Sequence, residues 1–214
     1  MIKIWGRTTS VNVQKALWAA AETGQAFEQI DVGGPFGGLD TPEFATLNPA
    51  RQIPVLQDGD FTLWESGAIV GYLLDSYGCD RVGPRNSRER ALAQQWCDWF
   101  QFEPFRNINV DCFIQLVRTP ASERNLAQVA AGAKKAGQNL AILERHLDGR
   151  SYIVGDRLGA ADIVIGGLMH RYTTLPIERP HLPNLERWHA GLMDRPGYRT
   201  YVMVDWTPMK VPGA

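Results

Sequence analysis

Residues 51–69 read RQIPVLQDGDFTLWESGAI, and this stretch predicts two strands, a tight turn and the start of a helix. Apolar runs lie on both sides of Asp58-Gly59, a dipeptide that strongly favours a β-hairpin. Beyond the hairpin, apolar residues recur with a helical period over 65–77. The stretch therefore predicts an antiparallel pair of strands followed directly by a helix.

The residues before this stretch also alternate between short strands and helices. Gly24 ends an amphipathic segment, as glycine commonly does just past a helix, and Thr41-Pro42 is typical of a helix start. The glycine-rich segment 33–38 favours a mobile loop without regular structure. The predicted elements are strands over 2–5, 27–32, 53–57 and 60–63, long helices over 11–23 and 65–77, and a short helix after Thr41. This β-α-β-α-β-β-α order predicts a sheet covered by helices.

Strand patterns stop after Gly78, and the rest of the chain favours helices alone. The predicted helices lie near 88–117, 122–148, 160–177, 184–194 and 196–203, with Thr119-Pro120 separating the first two. The predicted fold is an α/β thioredoxin-like domain over 1–78, a linker over 79–87 and an all-α domain over 88–214.

Composition excludes several broad classes of protein. The 214 residues are 44% hydrophobic and 21% charged, as in ordinary globular proteins, and the net charge of -1 gives no reason to expect nucleic acid or an anionic membrane as partner. The three cysteines and four histidines are scattered, so neither a disulfide framework nor a metal site is predicted. The expected location is the cytoplasm.

Ile53-Pro54 could present backbone groups to a ligand. A proline at the head of a strand cannot donate a ladder hydrogen bond. If the bond is cis, the Ile53 amide and carbonyl could pair with an extended peptide as an added strand. The alternative is an ordinary proline at the start of a strand.

Glu65 and Ser66 follow a strand and open a helix. Free amides and partial positive charge at a helix N-terminus bind a carboxylate, while Glu65 can accept from an ammonium group. The pair therefore matches an amino-acid head group, although helix capping is the alternative.

Thr9, Ser10 and Asn12 lie between the first strand and the first helix. A thiolate placed there would gain from the helix dipole and from a hydroxyl donor. Capping of the helix by Ser10 or Thr9 is again the alternative. In a thioredoxin-like sheet, these residues would meet Ile53 and Glu65 at one edge.

Nearly the whole chain resembles the cytosolic glutathione transferase family, and in particular its serine-type bacterial, theta and phi members. The segments that carry the resemblance are 9–18, Asn48-Pro49 with 52–56, 65–69, 155–158 and 161–163. The resemblance implies a homodimeric detoxification enzyme that uses glutathione as co-substrate and no metal. Its second partner would be a small hydrophobic electrophile.

The resemblance also implies roles for individual residues. Ser10 would stabilise the glutathione thiolate, with Asn12 and, less strongly, Thr9 as rivals for the sulfur contact. The γ-glutamyl group would lie on Glu65 and Ser66. The rest of the tripeptide would be held by Gln52, by the Ile53 backbone and by a cis Pro54.

The second substrate would lie over the sulfur, against the first helix of the C-terminal half. Phe102, Phe105, Arg106 and Asn109 are candidates for this pocket, and Arg106 could polarise a nitro or carbonyl acceptor. Aromatic residues along this helix equally favour core and dimer packing.

The sequence departs from the family at two places. Gly159 stands where the family usually has a serine or threonine cap three residues before the helical Asp162, which weakens the cap without touching the site. The loop 33–38 has no lysine or arginine to contact the glycyl end of glutathione.

The expected function is conjugation of glutathione to an apolar electrophile or reduction of an organic peroxide. A non-catalytic binding protein of the same fold is one alternative. A dedicated glutathione-dependent dehalogenase or isomerase is another, because fold alone does not decide among them.

Overall fold

The computed structural model describes residues 1–212. Its N-terminal half holds one four-stranded mixed sheet with the strand order β2-β1-β3-β4. Strands β1 and β2 are parallel, whereas β3 runs antiparallel to both β1 and β4. The strands are β1 Ile2–Trp5, β2 Phe27–Ile30, β3 Val55–Asp58 and β4 Phe61–Trp64. The predicted sequence of strands and helices along the chain is confirmed, although β2 ends two residues early and the hairpin strands begin slightly later.

Three α-helices accompany this sheet, as predicted: α1 Val11–Thr23, α2 Pro42–Leu47 and α3 Ser66–Tyr77. Gly24 closes α1 with a left-handed backbone (φ 73°), which glycine adopts without a steric penalty. The Thr41 hydroxyl accepts from the Phe44 amide and caps α2. The loop 33–38 was predicted to lack regular structure, but it contains one 3₁₀ turn at Gly34–Phe36.

The C-terminal half is helical. Its α-helices are α4 Ser87–Phe102, α5 Pro104–Arg106, α6 Leu126–His146, α7 Ala160–Thr174, α8 Pro183–Met193 and α9 Pro196–Tyr201, and a π-helix runs over Asn107–Arg118. Short 3₁₀ turns lie at Ala121–Glu123 and Thr207–Met209. The predicted fold class is confirmed, and residues 213–214 of the predicted helical region lie outside the described residues.

The single helix predicted over 88–117 is wrong. The α-helix stops at Phe102, and Glu103 leaves helical geometry with φ -120° and ψ -60°. Pro104 follows, and its ring lacks the amide hydrogen that would continue the helical ladder. The predicted helix over 122–148 is also shorter, because a 3₁₀ turn occupies its first residues.

Helix α1 joins the two halves of the molecule. Its residues are buried on nearly all sides, since α3 lies on one flank and α7 and α9 on the other. Trp18 is fully buried and packs edge-on against Tyr198 of α9, with ring centroids 4.9 Å apart. One core cluster therefore runs from Ile2 to Val202 through both halves.

Candidate active site

The sheet register brings the predicted site segments to one edge. Trp5 at the end of β1 pairs with Val55 at the start of β3, and Val55 pairs with Trp64 at the end of β4. The segments that adjoin these three residues therefore emerge side by side. A hydrogen bond of 3.4 Å from Ser66 Oγ to Asn12 Oδ1 links the start of α3 to the start of α1.

Ser10 occupies the N-cap position of α1, but its side chain forms no capping hydrogen bond with any described residue. Its backbone is extended (φ -83°, ψ 120°), and only its carbonyl joins the helix, accepting from the Gln14 amide at 2.9 Å. Ser10 lines a cleft between the two halves. It is therefore placed to bond a ligand at the positive end of α1.

Of the two rivals of Ser10, Asn12 is engaged through its side chain and Thr9 only through its backbone. Asn12 Oδ1 accepts from Lys15 Nζ at 3.1 Å as well as from Ser66. The Thr9 carbonyl accepts from Arg171 Nη2 at 2.6 Å. Both residues line the cleft with Ser10. The hydrogen bonds of Asn12 Oδ1 and of the Thr9 carbonyl fix the connection between β1 and α1.

Lys15 is a buried cation behind this loop. Its side chain is fully buried, and Nζ lies 4.7 Å from the centre of the Phe105 ring. The pKa of Lys15 is lowered to about 7, chiefly by desolvation. The charge of Arg171 acts in the same direction, whereas Cys97 and Glu65 act in the opposite direction.

Glu65 has an unusual backbone. It precedes α3 with φ 73° and ψ 116°, and its side chain forms no capping hydrogen bond. A non-glycine residue at positive φ costs about 1–3 kcal/mol and is common at functional sites. The capping alternative thus fails for Glu65, whose carboxylate is exposed, while the neighbouring Ser66 is buried at the first turn of α3.

The Ile53–Pro54 peptide bond is cis, as predicted. No backbone hydrogen bond joins Ile53 to another residue within 1–212. Gln52 is exposed, and its carbonyl accepts from Asn48 Nδ2 at 2.9 Å, which fixes the turn before β3.

The cleft beside Ser10 has a volume of about 440 Å³, within the range that holds a small molecule. Phe105 and Asn109 line it, as predicted for the second pocket. Phe102 and Arg106 do not: Phe102 is 82% exposed at the end of α4, and Arg106 is also exposed. For these two, a role in the pocket stays a prediction that the cleft geometry does not support.

Sequence reasoning missed three arginines that line the cleft: Arg7, Arg118 and Arg171. Arg7 also lies against the glycine-rich loop, where an added Cβ at Gly33 would come within 3.2 Å of its Nη1. A cation from the β1–α1 connection therefore lies beside the loop. Arg7 directly precedes the Thr8-Thr9-Ser10 segment, a signal that could have been used.

Comparison with known proteins gives a consistent result. Residues 1–75 match the model of the glutathione S-transferase N-terminal domain, and residues 109–196 match that of the glutathione S-transferase C-terminal domain. The chain is 35% identical over 206 residues to the glutathione S-transferase GstB of Escherichia coli K12, covering 95% of this chain and 99% of the relative. It is 31% identical to glutathione S-transferase 4 of Zea mays, covering 91% and 89% of the two chains.

Solved structures agree with these relatives. The theta class glutathione S-transferase of Xanthomonas axonopodis pv. citri, crystallised with glutathione bound, superimposes with a TM-score of 0.88. The two sequences are 43% identical, and the match covers 96% of this chain and 98% of the crystallised one. The apo form of the same enzyme gives a TM-score of 0.82.

Proposed function

The chain belongs to the glutathione S-transferase family, and we propose that it is a transferase in which Ser10 stabilises the thiolate of glutathione. The observation that carries this assignment is that Ser10, at the start of α1, lines the cleft and has a side chain that forms no capping hydrogen bond. Asn12 Oδ1 already accepts hydrogen bonds from Lys15 and Ser66, which favours Ser10 over Asn12. Thr9 stays a rival, because its one hydrogen bond to a described residue runs through its backbone carbonyl.

Ionising the glutathione thiol near neutral pH requires only a modest stabilisation of the thiolate. A thiol with a pKa of about 8.5 needs roughly 2.7 kcal/mol of differential stabilisation to ionise near pH 6.5. One charge-assisted hydrogen bond supplies about 1.5–3 kcal/mol, and the dipole of α1 supplies up to about 1 kcal/mol. Ser10 and the helix together are therefore sufficient.

The tripeptide would lie along the shared sheet edge. The γ-glutamyl ammonium would pair with Glu65, and its carboxylate with Ser66 and the amides at the start of α3. Gln52 and the free backbone of Ile53 would hold the middle and the glycyl end of the tripeptide, next to Pro54. The strained backbone of Glu65 supports this role, because nothing in helix capping requires it.

In the proposed reaction, the thiolate attacks an electrophilic carbon in the cleft. A C–S bond forms, and the bond to the leaving group breaks with its electron pair. Phe105 and Asn109 would contact the second substrate. Reduction of an organic peroxide is the other reaction open to the same thiolate.

We further propose a cytoplasmic homodimer that acts in detoxification, with two domains joined at residues 79–87. Exposed apolar side chains at Phe61, Trp64 and Leu92 support association with a second copy. Within residues 1–212, no helix has both the length and the apolar character needed to cross a membrane.

Ser10→Ala tests the sulfur contact. We expect turnover of glutathione with an aromatic halide to fall by more than about tenfold, because the hydroxyl acts on the developing thiolate, while glutathione affinity measured by calorimetry stays similar. Ser87→Ala, at the exposed start of α4, is the matched control. A larger loss in Asn12→Ala would transfer the sulfur contact to Asn12.

Binding and turnover of glutathione also distinguish the transferase from the two alternative functions, a binding protein and a dedicated dehalogenase or isomerase. Retention on immobilised glutathione without turnover of several different acceptors would favour a non-catalytic binding protein. Turnover restricted to a single halogenated or isomerisable acceptor would favour a dedicated dehalogenase or isomerase.

A further inference from the structure

The cleft beside Ser10 contains three guanidinium groups from three separate segments. Arg7 comes from the β1–α1 connection, Arg118 from the end of the π-helix and Arg171 from α7. Apolar residues also line the cleft: Val11, Phe105, Phe113, Ile114, Met209 and Val211. The cleft thus combines an apolar wall with a concentrated positive charge.

No carboxylate within residues 1–212 balances this charge. None of the three arginines forms a salt bridge with a described residue, and no aspartate or glutamate lines the cleft. Arg171 is 5% exposed, yet its partners are neutral: the Thr9 carbonyl at 2.6 Å, Asn109 Oδ1 at 3.1 Å and the Met209 sulfur at 3.9 Å.

The three charges also repel one another. Burial and then the neighbouring Arg7 and Arg118 lower the pKa of Arg171 to about 9. Burial and then Arg118 lower the pKa of Arg7 as well. Like charges held together without a counter-ion are unfavourable, and an anion that enters the cleft would relieve that repulsion. Guanidinium groups suit a carboxylate in particular, because their paired donors match its two oxygens.

Glutathione's own carboxylates do not account for this cluster. In the proposed binding mode, both ends of the tripeptide lie along the sheet edge at Ser66 and at Ile53. Arg118 comes instead from the end of the π-helix and lines the cleft together with Phe113 and Ile114.

Building on the proposed transferase function, we propose that the second substrate is an electrophile that carries a carboxylate. Arg118, assisted by Arg7 and Arg171, binds the carboxylate, and the apolar wall holds the body of the molecule. The reactive carbon then faces the glutathione sulfur at Ser10.

A pair of matched probes tests this proposal: 4-(bromomethyl)benzoate and its methyl ester. With either probe, the glutathione thiolate attacks the benzylic carbon, a C–S bond forms, bromide leaves with the bonding electrons, and the thiol proton passes to solvent. The carboxylate or ester lies across the ring from the reacting carbon and affects its intrinsic reactivity. Each enzymatic rate is therefore divided by the rate of the same probe without enzyme.

We expect the wild-type protein to favour the carboxylate over the ester by at least about tenfold in kcat/KM, as the loss of a charged hydrogen bond implies. Arg118→Gln should remove this preference by lowering the carboxylate value about tenfold, with the ester value changed by less than about threefold. Arg118 is exposed, so the variant should fold. Arg145→Gln, at an exposed position near the end of α6, should leave both values unchanged.

Each contrary result has a distinct meaning. Equal wild-type values for the two probes would overturn the carboxylate proposal and leave the transferase function intact. Equal losses on both probes in Arg118→Gln, together with a raised KM for glutathione, would assign Arg118 to glutathione and also overturn it. Failure to accelerate either probe, despite glutathione binding in calorimetry, would overturn the transferase function itself.

Discussion

Lys15 contacts residues of the candidate site and also packs in the core between α1 and α7. Its ammonium group is fully buried, with Asn12 Oδ1 as hydrogen-bond acceptor and the Phe105 ring as a neighbour. Its stem packs on α7, where an added Cβ at Gly167 would come within 2.8 Å of Lys15 Cγ. Because one hydrogen bond and one aromatic ring replace the water around this ammonium group, its protonated form lowers the free energy of unfolding.

Lys15→Met should stabilise the protein, and the gain should depend on pH. The pKa of Lys15 is about 7 in the folded chain against an ordinary value of 10.5. Below pH 7 the folded state contains the buried cation. Between about 7 and 10.5 the unfolded chain binds the extra proton, so wild-type stability rises with pH. We expect the variant to gain about 1–4 kcal/mol in free energy of unfolding at pH 6 and less at pH 9.

Urea denaturation at the two pH values measures this difference. Lys135→Met, at an exposed position of α6, is the control and should show no pH-dependent gain. An identical gain for Lys15→Met at pH 6 and pH 9 would mean that Lys15 does not titrate in this range.

The part of the site that lies on the sheet edge could be predicted from the sequence. Ser10, Ile53 and Glu65 each adjoin a strand end, so the strand order alone places them together. Lys15 and Arg171 could not be found in this way, because both lie inside helices whose apolar pattern indicates core. Arg171 finds its partner Thr9 in a distant segment, and the packing of α1 against α7 brings Arg171 to the cleft and leaves Lys15 buried behind the Ser10 loop.

At the scale of the element, the break after Phe102 is the largest difference from the sequence prediction. Apolar and aromatic residues continue on both sides of the break, so periodicity predicts one long helix. Pro104 was the signal for its end, because proline inside a helical pattern usually stops the helix. The break matters for the site, because Phe105 and Asn109 face the cleft from beyond it whereas Phe102 is left exposed.

The start of α7 offers a second test at this scale. Gly159 is the N-cap, with an extended backbone (φ -131°, ψ -177°) that any residue can adopt. Asp162 is fully buried and accepts from the amides of Gly159 and Ile153 at 3.0 Å and from Trp188 Nε1 at 2.8 Å. The cap therefore lacks only a side-chain acceptor for the first turn.

Gly159→Ser should supply that acceptor. A Cβ at this position would lie 3.7 Å from Asp162 Oδ2, an ordinary contact. We expect the free energy of unfolding to rise by a few tenths of a kcal/mol, up to about 1 kcal/mol. Gly159→Ala restricts the backbone equally but has no side-chain acceptor for a cap. The difference in free energy of unfolding between the two variants, measured by chemical denaturation, therefore gives the contribution of the hydroxyl. Equal stability of the serine and alanine variants would contradict the assignment of a missing cap.

At the scale of the whole molecule, the order of strands and helices was predictable, but the way in which the two halves pack was not. Local patterns define the sheet because its strands are joined by short connections. Helix α1 was predicted as amphipathic with one apolar side. The structure buries it almost completely between α3 and the C-terminal helices α7 and α9, which is typical of a helix at the centre of a larger core.

Gly166 of α7 lies where the two halves pack together and gives the test of their coupling. An added Cβ there would lie 2.6 Å from Leu192 Cδ1 and 3.2 Å from Trp18 Cζ3, so α7 could not stay as near to α1 and α8. Gly166→Ala should lower the free energy of unfolding by about 1–3 kcal/mol through overpacking. Gly191→Ala, in α8 with open space at its Cβ, should instead gain up to about 1 kcal/mol from helix propensity. In thermal unfolding followed by circular dichroism, one shifted transition for Gly166→Ala would indicate a common core, whereas loss of the helical half alone would show that the halves unfold independently.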